Sequence, residues 1–173
     1  GVERLYLHDE GVQFPEGNPN PQGNPDWILN NAIEMYHELS PVTGEFFDML
    51  TRFELMDLVT RNNKDGGGYC TSFPLYGVPF IFSNFNGTTH DVEVLTHEAG
   101  HAFQMYMSRE QKLLDYVFPT AEACEIHSMS MEFLTWPWME RFFREQTENF
   151  KFYHLQGALL FLPYSCTVDE FQH

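Results

Sequence analysis

The sequence predicts a mainly α fold with one small β element, and three observations predict it. Apolar side chains recur at helical spacing through most of residues 25–58 and again beyond residue 88. One stretch, "TSFPLYGVPFIFSNFNGT", is instead rich in aromatic and β-branched residues and is punctuated by Pro74, Gly77 and Pro79. With 173 residues and 43% apolar side chains, the chain suits one domain or one large piece of a bigger one.

Taken in order, "VERLYLHDE" reads as a short strand, and "FPEGNPNPQGNPD" as a surface loop built from turn formers. Residues 1–26 thus lead into a helical core over 27–173. The first helix starts at Asn24 and Pro25 and turns Ile28, Ala32, Met35 and Leu39 to one face. The second takes Ser40 as cap and Pro41 as its first residue, with Phe46, Phe47, Leu50, Phe53 and Leu58 continuing at helical spacing. "NKDGGGYC" lacks the Lys-Ser/Thr of a phosphate loop and reads as a flexible turn. One or two strands follow over 71–88, where the prolines favour an edge position. Thr88 and Asp91 fit a capping box for the next helix, with Asp91 and Glu93 at its positive end. Thr120 is a cap for a helix over 120–136. Pro137 ends or kinks it, and the remainder reads as further helix.

Charge and cysteine usage exclude several classes. Twenty-five acidic against nine basic side chains leave a net charge of −16, which repels nucleic acid and anionic lipid. Cys70, Cys124 and Cys166 are odd in number with no CxxC pair, which suits a reducing, cytoplasmic compartment over a disulfide framework. No apolar run reaches membrane-spanning length. The opening residues resemble no signal peptide and lack an initiator Met, so the chain is expected to begin inside a longer polypeptide. The 17 Phe, 8 Tyr and 3 Trp suit a well-packed interior and, more weakly, apolar clefts for peptide side chains.

The chemistry lies in "VLTHEAGHAFQMYM", residues 94–107. His97 and His101 stand one helical turn apart, so both imidazoles reach one ion, and Glu98 can hold a water there without being a ligand. A catalytic zinc wants three protein ligands and an open position. A third histidine downstream is missing, since residue 104 is Gln and residue 107 is Met. A carboxylate from the 120–136 helix is the remaining solution, from Glu122, Glu125 or Glu132. Glu122 is explained by the first-turn dipole. Glu125, placed a turn further in among Ala123, Ile126 and Met129, has no such role and is costly unless paired or metal-bound. Glu125 is therefore the expected third ligand. Ser128 and Glu132, on its face, and Asp91 are the candidates for holding the ligands by hydrogen bonds.

"HEAGHAFQ" followed by "EIHSMSME" resembles the thimet oligopeptidase and oligoendopeptidase F family of zinc peptidases. "ELSPVTGEFFDML", "KDGGGYCTSFP", "PFIFSNFNGTTHDVEVLTHEAGHA" and "LPYSCTVDEFQH" agree, so the similarity runs from about Trp27 to the end. The resemblance implies a zincin-like helical catalytic domain with a deep channel, one Zn2+ held by His97, His101 and Glu125, and Glu98 activating water. It implies short peptides as substrates, laid in extended form along "FIFSNFNG" as an edge strand, through Ser83, Asn84, Phe85, Asn86 and Gly87. It also implies a later segment, beyond His173, that stabilises the tetrahedral intermediate. Tyr153, His154 and Tyr164 do not stand in that motif. The chain is thus expected to be the core of a zinc endopeptidase cut on both sides. The alternative is a peptide-binding zinc domain without turnover.

Overall fold

The computed structural model describes residues 6–9 and 11–173 and orders them as six α-helices and a three-stranded sheet. Helix α1 spans Pro25–Leu39 and α2 spans Pro41–Arg52. Both start as the sequence indicates. The Asn24 side chain accepts from the Trp27 N–H at 2.9 Å, and the Ser40 hydroxyl accepts from the Thr43 N–H at 3.1 Å. Ile28, Ala32 and Met35 of α1 are buried against Phe46, Phe47 and Leu50 of α2, with the Tyr36 and Phe47 rings stacked at 4.4 Å.

The second helix ends earlier than its apolar pattern suggests. Glu54 takes a left-handed φ of 53°, and the Leu55 N–H returns to the Leu50 carbonyl. Phe53 is left exposed, and Leu58 belongs to strand β1, Met56–Val59. Residues 2–5 and 10 of the expected first strand lie outside the described residues, and Leu7–Asp9 form a 3-10 turn.

Strands β2 (Tyr69–Phe73) and β3 (Val78–Phe85) complete the sheet in the order β1-β3-β2, with β1 parallel and β2 antiparallel to β3. This corrects the placement of "FIFSNFNG": a β element does lie beside the HExxH helix, but this segment is its central strand. The prolines do not prevent that. Pro79 is only the second residue of β3, opposite Ser72, and Pro74 lies in the turn after β2. The sheet's edges are β1 and β2.

The glycine-rich segment is pinned in place. The Lys64 ammonium, 2% exposed, reaches the carbonyls of Asp57 and Val59 and the Asp57 carboxylate at 3.0 Å each, as well as the Ser83 carbonyl. It also lies 4.4 Å from the centre of the Phe82 ring. The Asn84 amide donates to the carbonyls of Asp65 and Gly67. The Arg61 fork beside Asp57, helped by Lys64, holds the Asp57 carboxyl down at about 2 from a usual 3.8. A depressed carboxylate contributes stability above its unfolded pKa and loses it as pH falls through the folded one. The stability difference between the native chain and Asp57→Asn should therefore be full above about pH 4 and shrink towards pH 2. Urea unfolding across that range measures it.

Helix α3, Thr89–Ser108, packs on β2 and β3 on one side and on α4, Cys124–Leu134, on another. Val92, Leu95, Ala99 and Ala102 of α3 join the core with Ile81, Phe85 and Met131. The expected capping box is absent: Thr88 donates its hydroxyl to the Asn86 side chain, and its own side chain caps nothing. A turn over 121–123 delays α4 to Cys124, so Thr120 is not its cap. The remainder is helical but interrupted. A 3-10 turn at Trp136–Trp138 and α5 (Glu140–Phe143) precede Arg144, whose φ is +47°, and a second 3-10 turn leads into α6, Thr147–Gln172. The distal part of α6 turns Leu159, Leu160, Phe161 and Leu162 largely to solvent. No helix among the described residues is long and apolar enough to cross a membrane.

Candidate metal centre

Helix periodicity places the two histidines and the glutamate between them on α3. His97 and His101 point the same way, with ring centroids 4.9 Å apart. Helix α4 crosses and brings Glu125 to them: its Oε2 lies 3.1 Å from His97 Nε2 and 3.3 Å from His101 Nε2. Among the described residues these three side chains form the one group whose donor atoms lie mutually within 4.8 Å. Donors bound tetrahedrally at zinc distances stand about 3.3 Å apart, so the spacing fits such an ion.

Glu125 arrives there for a reason other than the one its sequence position suggests. It sits in the first turn of α4 with its side chain 52% exposed, and neighbouring Ile126 is exposed too. Burial does not force it to find a partner. The Ser128 hydroxyl donates to Glu125 Oε2 at 2.6 Å and fixes it. Burial raises the Glu125 pKa, but that bond and the charges of His101 and His97 outweigh it and hold the carboxyl low. Glu122 is exposed, a turn away from the cluster.

Glu132 accepts from His97 Nδ1 at 2.6 Å, which leaves Nε2 of that ring directed at Glu125. Sequence reasoning missed what stands behind Glu132. His154 of α6, nearly buried, donates from Nε2 to the other carboxylate oxygen. The Trp136 indole N–H donates to His154 Nδ1 at 3.1 Å, and so places the His154 proton on Nε2. Nothing local marks His154, which reaches Glu132 only because α6 packs across α4. Asp91 is corrected: it lies at the start of α3 and accepts from the Asn86 and Gly87 N–H groups at 2.9 and 2.8 Å, away from the histidines.

The His97 pKa is raised above the usual imidazole range. Burial works against it, but the bond to Glu132 and the charges of Glu132, Glu98 and Glu125 hold the imidazole above its usual pKa. Glu98 is 7% exposed, and its Oε2 is buried with no hydrogen-bond partner. Burial first, then Glu125 and Glu132, raise the Glu98 pKa against the lowering effect of His97. A carboxyl of raised pKa that lines the same cleft as the three-donor cluster suits a proton acceptor there.

Two clefts flank the cluster. One of about 540 Å³ is lined by His97, Glu98 and Glu132 together with Glu93, Phe133 and Tyr153. The other, about 420 Å³, is lined by His97, Glu98, His101 and Glu125 with Tyr69 and Cys70 of β2. Gly68 borders both, and a Cβ there would meet Val94 at 2.9 Å, so the chain passes close over Glu98. None of Ser83, Asn84, Phe85, Asn86 or Gly87 lines either cleft. Ser83 and Phe85 are buried, Asn84 holds the glycine loop, and Asn86 and Gly87 bind Asp91.

Gly100 sets the approach of the helices. A Cβ at this position would stand 2.6 Å from Ser128 Cα and 2.7 Å from the His127 carbonyl oxygen. Gly→Ala within a helix ordinarily stabilises by about 0.5–1 kcal/mol. Here the overpacking cost of about 1–3 kcal/mol should reverse the sign, so Gly100→Ala lowers stability, as thermal or urea unfolding would show.

A profile of Peptidase family M3 matches residues 16–164. Among solved structures, one that carries the name oligoendopeptidase F is 62% identical with a TM-score of 0.94, covering 99% of this chain and 30% of its own. A PZ peptidase A with an inhibitor is 61% identical at a TM-score of 0.95, covering 100% of this chain and 31% of its own. A protein from Bacillus anthracis named in the same way as the first is 58% identical at 0.95, covering 99% and 32%. No curated protein matches. The chain thus spans about a third of the length of the solved structures it matches, and the mainly helical, zincin-like fold is common to them. Over most of its length this chain belongs to peptidase family M3.

Proposed function

We propose that the chain is the core of a zinc-dependent endopeptidase acting on short peptides. One observation carries the reading: Glu98 lines one cleft together with all three members of the His97–His101–Glu125 donor group. The names of the similar structures, oligoendopeptidase and PZ peptidase, point to the same substrate class. Zinc, when bound, supplies polarisation of the scissile carbonyl and a lowered pKa for the attacking water.

The chain's own residues do the rest. Glu98 takes the water's proton and returns it to the leaving amine, a task suited to a carboxylate whose pKa burial has raised. Glu132 and Ser128 hold His97 and Glu125 in the orientation observed. The substrate backbone lies along β2 rather than β3, because β2 is an edge of the sheet and Tyr69 and Cys70 already wall one cleft. Three free cysteines suit a reducing, cytoplasmic setting, and the charge of −16 disfavours nucleic acid as a partner.

Hydrolysis of quenched short peptides, with added zinc and then with chelator, tests the reading. The expected result is about one zinc per chain and cleavage that chelation abolishes. One zinc per chain with peptide binding but no cleavage would favour a binding domain instead. A chain that takes up no zinc would sink both.

A further inference from the structure

We infer that His127 is the positioning residue of His101, the counterpart of what Glu132 is to His97. The inference rests on the zinc site proposed above. His101 offers Nε2 to the donor group, 3.3 Å from Glu125 Oε2. A neutral imidazole that gives a lone pair from Nε2 carries its proton on Nδ1, and that proton needs an acceptor. The atom facing His101 Nδ1 is His127 Nε2, at 3.2 Å, with the two rings close to perpendicular at 77°. His127 must then present a lone pair at Nε2 and keep its own proton on Nδ1.

The two metal-facing histidines are therefore held by unlike partners. His97 is backed by a carboxylate, itself anchored by His154. His101 is backed by a neutral imidazole, which orients the ring without adding negative charge behind it.

The packing independently brings His127 to this place. The His127 carbonyl stands 2.7 Å from where a Cβ on Gly100 would be, so α4 touches α3 one residue before His101. A short span of α4 thereby serves the whole cluster: Glu125 reaches the donor group, Ser128 fixes Glu125, and His127 fixes His101. His127 is only partly buried, so its side chain is not needed to fill the core.

Two variants test the assignment. H127Q keeps an oxygen that accepts from His101 Nδ1–H, whereas H127F keeps a ring and offers no acceptor. Zinc affinity is read by competition with a chromogenic chelator, and the His101 tautomer by ¹⁵N-resolved NMR of the imidazole. H127F should bind zinc about 10- to 100-fold more weakly and lose the fixed Nδ1 proton, while H127Q should restore both. Native affinity in H127F, or an H127Q as weak as H127F, would overturn the inference. Failure of the native chain to bind zinc would be a failure of the peptidase reading. In that case the His101 tautomer in the metal-free chain, compared between native and H127F, still decides the role of His127.

Discussion

Exchanging Glu98 for glutamine is expected to lower peptide hydrolysis by about 10²- to 10⁴-fold, the range a general base contributes. The substitution is close to isosteric at a position that is 7% exposed, so the fold and the donor group should persist. What disappears is the proton acceptor. The amide has no basic oxygen to take the water's proton, and none to hand to the leaving nitrogen. Zinc content by metal analysis should stay at the native level, and peptide affinity should stay near it. The pairing of lost turnover with retained metal separates an enzyme from a binding domain. Residual hydrolysis above about a tenth of native would remove Glu98 from the mechanism.

Lys64→Met should cost about 1–3 kcal/mol, the usual result of leaving buried hydrogen-bond acceptors without their donor. Methionine keeps most of the volume and the apolar stem against Phe82, so the loss is one of charge and hydrogen bonds. The carbonyls of Asp57, Val59 and Ser83 would lose the donor that ties β1, β3 and the following loop together. Arg61 would still hold the Asp57 carboxylate, which keeps the cost at the lower end of that range. Urea unfolding measures the difference. A loss under about 1 kcal/mol would mean that water replaces the ammonium at little cost.

The parts of this molecule that are legible in its sequence are those whose reasons are local. Asn24 and Ser40 announce α1 and α2 because a cap needs only its own first turn. The pairing of His97 with His101 follows from one helical turn. Glu125 was reachable by asking which carboxylate on the next helix lacked an explanation, yet the explanation itself fails. Helix α4 starts at Cys124, and Glu125 is an exposed first-turn residue held by Ser128. Strand β1 is hidden because Phe53 and Leu58 continue the spacing of α2, while the chain turns at Glu54. The middle position of β3 depends on β1 arriving beside it, which no pattern within 78–85 records. His154 and His127 act through partners 22 and 26 residues away, and only the packing of α6 and α4 brings them there.

At Gly100, the backbones of helices α3 and α4 come into close contact. Packed helices slide past one another by small shifts that their interdigitated side chains allow, and a backbone-to-backbone contact leaves little room for them. His97, Glu98, His101 and Glu125 are then expected to move together. On the peptidase reading proposed above, any breathing that admits a peptide would come from the opposite walls. Those are β2 with Phe118 and Pro119 on one side and α6 at Tyr153 and Gly157 on the other. The donor geometry would then stay constant while the walls around it move.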